Sequence, residues 1–91
     1  MSINENIRAE LDEDAIVFDN PSFDNSIIGF TTDGQAVYDY EKMVEELMKD
    51  DGISEQEAVD WIEYNTIRAI PYAGDMRPVV MFTFKEDIYG Q

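Results

Sequence analysis

Apolar residues recur at two different periods along this chain, and the change between them marks out its elements. Tyr40, Met43, Val44, Leu47 and Met48 fall at i, i+3, i+4, i+7 and i+8, the stripe of an amphipathic helix. Gly52, after the aspartates of "KDDG", suits a helix C-terminus. A second helix is predicted to open on "SEQE", with Ser54 as cap and Glu57 reaching back to form a capping box. Its apolar face takes Ala58, Ile62 and Ala69, flanked by Val59, Trp61 and Thr66. Pro71 pushes Ile70 out of helical geometry, so this helix is expected to end by about that residue.

Ahead of the helices the period shortens to two. In "SIIGFTTDGQAVYD", Asp33-Gly34 predicts a two-residue type I′ turn between paired strands. That register sets Phe30 opposite Val37, with Ile28 on their face and Ile27, Ala36 and Tyr38 on the other. "IVFD" predicts an earlier strand over residues 15–19, and "NPSFDN" is turn chemistry. "SINENIRAEL" predicts an N-terminal helix, capped by Ser2 with Glu5 completing a box, and with Ile3, Ile7 and Leu11 on one side. "DEDA" ends it, so residues 1–14 form a helix and an acidic turn. "VVMFTF" reads as a strand buried on at least one face, and residues 85–91 are expected to fray. The order α-β-β-β-α-α-β predicts one α+β domain over residues 1–91. Its expected architecture is a small antiparallel sheet carrying the hairpin, with a helical hairpin packed on one face.

Composition supports a packed domain. Of 91 residues, 44% are hydrophobic, including five Phe, five Tyr and one Trp, which sets the chain apart from a disordered acidic tail. No apolar run approaches the roughly 20 residues that span a bilayer. The N-terminus lacks the basic start and apolar stretch of a secretory signal, and there is no cysteine for a disulfide. A cytoplasmic location is the expectation. Charge changes the picture more. Twenty-one acidic residues face six basic ones, a net of -15. Such a surface repels nucleic acid and anionic lipid and attracts basic protein grooves. Neither direct nucleic-acid binding nor a membrane partner is therefore expected.

The absence of His and Cys removes the usual triads, thiol nucleophiles and zinc ligand sets. Carboxylate pairs remain, but a domain this small has little room for the cleft that glycosidase chemistry needs. Calcium loops of EF-hand type place Gly sixth, after acids at positions one, three and five. Counting back from Gly52 meets Leu47 and Lys49, and from Gly34 meets Gly29 and Thr31, so both fail. The expectation is a protein that is not an enzyme, with no metal site and no cofactor.

What remains is the acidic stretch "EKMVEELMKDDGISEQEAVDWIE". On its first helix Glu41 and Glu45 lie one turn apart, and Lys42–Glu46 and Glu45–Lys49 pairs are expected to offset part of the charge. On its second, Glu55, Glu57, Asp60 and Glu63 meet no basic residue before Arg68. Carboxylates about 5–6 Å apart resemble successive backbone phosphates to a basic groove; the plainer alternative is a solvated face. Tyr64 and Ile67 project among these acids and are candidate anchors. Asn65 falls on the apolar side, as a bonded core amide or a helix-end residue, and Arg68 is expected to answer Glu63 or Asp60. The candidate partner-binding set is Glu41, Glu45, Glu55, Asp60, Glu63, Tyr64 and Ile67.

The segments "FDNPSFDNSIIG", "DGQAVYDYEKMVEELM" and "EYNTIRAIPY" resemble a family of small acidic proteins carried by prophages and other mobile elements of Gram-positive gut bacteria. The similarity covers residues 17–80, and no catalytic or binding residue is carried over with it. What it implies is context: small mobile-element proteins without enzyme motifs often inhibit host defence nucleases, as anti-CRISPR proteins do. The leading expectation is thus a non-enzymatic inhibitor of anti-CRISPR or anti-restriction type, a DNA mimic in its charge, seated in a basic groove of a host nucleic-acid-handling protein. The alternative is a self-associating accessory module, a homodimer through exposed apolar residues and an open strand edge, whose acidity serves solubility.

Overall fold

The computed structural model describes residues 5–84, in the order α1 (Glu5–Glu10), a 3₁₀ helix (Pro21–Ser26), β1 (Ile27–Phe30), β2 (Ala36–Asp39), α2 (Tyr40–Asp51), α3 (Glu55–Asn65), a second 3₁₀ helix (Ile67–Tyr72) and β3 (Val79–Met81). The class is α+β, as the pattern of elements predicts. The Ser2 cap and the 85–91 tail fall outside the described residues.

Chain order and strand order coincide, β1-β2-β3, but the pairings differ. β1 and β2 are antiparallel, whereas β2 and β3 run parallel, so the sheet is mixed rather than wholly antiparallel. A parallel neighbour needs a long crossover, and α2, α3 and the second 3₁₀ helix together supply it. The third strand is also shorter than "VVMFTF" suggests. Only Val79–Met81 pair, and Phe82 and Phe84 lie beyond the ladder, both largely exposed.

The hairpin turn is not type I′. That geometry needs positive φ at both central residues, yet Gly34 alone, at φ 89°, has it. The Gly34 N–H donates to the Thr31 carbonyl and Thr31 N–H to the Gln35 carbonyl, closing a three-residue loop that ends on a left-handed glycine. Phe30 consequently pairs with Ala36 and Gly29 with Val37, one residue from the predicted register, and a bulge at Ile28 brings Ile27 opposite Tyr38. Ala36 and Tyr38 are still fully buried, with Ile27 packed against the core. Ile28 and Phe30 stay exposed.

Residues 15–19 form no strand. The segment is extended and Ala15 is buried, but its donors go to scattered acceptors: Ile16 N–H to the Met76 carbonyl, Phe18 N–H to the Tyr38 hydroxyl. Next to it, "PSFDNS" winds into a 3₁₀ helix capped by the Asn20 side chain, which receives Ser22 N–H. This turn buries Phe23 against Phe18 and Trp61, with ring centroids 6.0 and 6.1 Å away. The core lies between this 3₁₀ helix, the inner sheet face, Met43 and Leu47 of α2, and Ala58 and Ile62 of α3.

β2 runs into α2 without a loop. Asp39, its last residue, is buried and caps the helix by accepting the N–H groups of Glu41 and Lys42. The helix stops at Gly52, whose φ of 65° and N–H bond to the Met48 carbonyl form a left-handed C-terminus. Ser54 and Glu57 make the expected reciprocal capping box at the start of α3. The α-helix ends at Asn65, sooner than expected. Tighter 3₁₀ geometry then carries the chain through Pro71, leaving Ala69 exposed rather than on a buried helix face.

Candidate partner-binding face

α2 and α3 pack side by side, and the groove between them is where most of the candidate acids meet. Their one-turn spacings put Glu41 and Glu45 on the α2 wall, while Glu55, near the start of α3, stands on the other. The groove encloses about 410 Å³. Its floor is apolar: Val44 and Met48 come from α2, Val59 from α3, and the Phe82 ring closes one end. Phe82 rests on Tyr40 at a centroid distance of 4.6 Å and is still 66% exposed.

Farther along α3, Asp60, Glu63 and Tyr64 share a shallow concavity with Glu57 and Trp61. Tyr64 is 72% exposed, in keeping with an anchor. Ile67 is not. It lies beyond the end of α3, where the chain tightens ahead of Pro71, and it packs against the core beside Tyr40 and Ile70. Asn65 is a solvent-exposed helix-end residue whose side chain donates to the Trp61 carbonyl.

Basic residues sit elsewhere than helical spacing suggests. Lys49 pairs with Glu46 at 3.5 Å, not with Glu45, and this is the one ion pair among the described residues. No Lys42–Glu46 pair forms. The i,i+3 contact satisfies Lys49 away from the groove and leaves Glu45 without a cation. Arg68 answers neither Glu63 nor Asp60; its guanidinium lies 4.7 Å from the centroid of the Tyr64 ring. A ring face offers a cation a partner that needs no carboxylate.

Not every acid is available to a partner. Glu57 is held by its cap bond to Ser54 N–H. Glu63 accepts a 2.7 Å hydrogen bond from the Tyr40 hydroxyl, tying the two helices together. Burial, together with this carboxylate, pushes the Tyr40 phenol up to about 12. Asp60 receives only an exposed bond from Gln56. Comparison with protein-family models, curated proteins and solved structures returns no match.

Among the described residues, no group of three or more carboxylates is arranged to hold a metal ion, and no helix is long and apolar enough to cross a membrane. Sequence reading missed Phe82, Val59, Val44 and Met48 as site residues. The helical stripe contains Val44 and Met48, but it marks them as core and cannot show that they border an open groove. Phe82 was hidden inside an apparent strand.

Proposed function

We propose that this protein is a non-enzymatic acidic binding protein that occupies a basic groove on a nucleic-acid-handling host protein, as an inhibitor of anti-CRISPR or anti-restriction type. One observation carries the reading. Glu45, Glu55 and Asp60 stand exposed on adjoining helices with no ion pair to a lysine or arginine among the described residues. A partner supplying the missing cations gains attraction and sheds counterions, as a polynucleotide's partner does. The test is capture of proteins from a bacterial host lysate at low and high salt, with Glu55→Lys/Asp60→Lys beside the parent chain. These positions are chosen because reversal at Glu57 or Glu63 also breaks a structural hydrogen bond. A basic nucleic-acid-binding protein retained at low salt, released at high salt and lost with the double reversal is the expected result. Retention by the reversed protein overturns the reading.

A second reading is self-association, favoured by the exposure of Ile28 and Phe30 on the edge strand β1. It predicts a solution mass twice 10.5 kDa with little response to salt.

A further inference from the structure

We infer that the α2–α3 groove is a receptor for an amphipathic basic helix of the partner, one presenting apolar anchors flanked by lysine or arginine. This rests on the proposed binding role and sharpens it: recognition is by insertion into the groove, not only by attraction to a charged surface. A phosphate-like surface needs charge alone, and this groove combines charge with an apolar bed.

Three features of the groove fit one such occupant. Its walls carry Glu41, Glu45 and Glu55 and, among the described residues, no lysine or arginine. The lysine able to neutralise Glu45 from one turn away is engaged by Glu46 instead. Its floor, half-buried Met48 and Val59 over buried Val44, runs to the exposed Phe82 ring, so some apolar surface is accessible beneath the acids. A neutral apolar segment would leave Glu45 and Glu55 uncompensated, and a purely cationic one would leave Phe82 in water. A helix with anchors at i, i+3, i+4 and i+7 satisfies both. Met48 adds adaptability, because its unbranched thioether side chain repacks around different anchors.

The test uses fluorescently labelled synthetic helices on the full-length protein. One carries leucines at i, i+3, i+4 and i+7 among lysines; a second has the same lysines with serine at those four positions. The leucine peptide is expected to bind about tenfold or more tightly than the serine peptide, since its anchors leave water. Phe82→Ala and Val59→Thr should each narrow that preference severalfold while circular dichroism and melting show a folded chain. Glu45→Lys should weaken both peptides, and Glu10→Lys on α1 should have a much smaller effect. Equal binding of the two peptides overturns the inference, as does an unchanged preference in both floor variants or an equal loss from Glu10→Lys. None of these outcomes depends on a host protein, so they are distinct from failure of the lysate capture.

Discussion

The Tyr40 hydroxyl donates to Glu63 Oε2 at 2.7 Å, joining the first residue of α2 to the last turn of α3. The same tyrosine ring lies against Phe82, so one side chain both links the helices and bounds the groove. Tyr40→Phe keeps the ring and removes the donor. It is expected to lower unfolding free energy by about 0.5–1.5 kcal/mol, the ordinary net worth of one hydrogen bond. In a double-mutant cycle with Glu63→Ala, measured by urea denaturation, the two losses should be clearly less than additive. Additive losses would show that the contact contributes nothing to stability.

Alkaline pH acts on two phenols. Burial pushes Tyr40 and Tyr38 up to about 12 from an ordinary 10.0; the Glu63 carboxylate adds to the shift at Tyr40, and Asp24 adds at Tyr38. Above pH 10 the unfolded chain releases these protons while the folded chain keeps them. Their contribution is therefore complete below the unfolded value and is lost as pH rises toward about 12. Phenolate absorbance should show Tyr38 and Tyr40 titrating well above pH 10, and unfolding free energy should fall across that window. Tyr40→Phe should remove one of the late titrations and flatten part of the fall.

Gly34 and Gly52 both have positive φ, at 89° and 65°, but their surroundings differ. A Cβ on Gly34 would come within 2.7 Å of the Asp12 backbone nitrogen, whose N–H donates to the Gly34 carbonyl; at Gly52 it would meet nothing within 4 Å. Gly52→Ala should cost about 1 kcal/mol, the left-handed penalty alone. Gly34→Ala should cost measurably more, because the hairpin turn must also move away from the segment that follows α1. Equal losses in thermal or urea unfolding would mean the two segments do not touch.

Legibility in the sequence followed the range of the interaction. The Ser54–Glu57 box, the Gly52 terminus and the Tyr40–Leu47 stripe depend on neighbours within a few residues, and all three formed as read. Ile16 binds Met76, Tyr38 receives Phe18 N–H, and β3 lies parallel to β2. Those arrangements rest on contacts between segments that no local period encodes. The acids of the candidate face follow the same division. Glu45, Glu55 and Asp60 are exposed as helical spacing predicts, whereas Ile67 and Arg68, past the helix end, could not be placed by extending its period. Phe82 came to light only when the ladder proved to stop at Met81.

Salt offers a direct reading of the surface charge. A protein held by ion pairs loses stability as they are screened, but here, among the described residues, a single Lys49–Glu46 pair with its lysine in solvent stands against a net charge of -15. An exposed pair contributes about 0–1 kcal/mol, while repulsion among neighbouring carboxylates extends over roughly 10 Å at moderate ionic strength. Repulsion should win. Adding sodium chloride is therefore expected to raise the melting temperature, most steeply at the low-salt end. Lys49→Ala should change it little, and Glu45→Gln/Glu55→Gln should raise the low-salt value and reduce the salt dependence. A melting temperature that falls with salt would mean that attractive pairings, not self-repulsion, dominate this surface, and the cations needed to seat a partner would already be supplied from within.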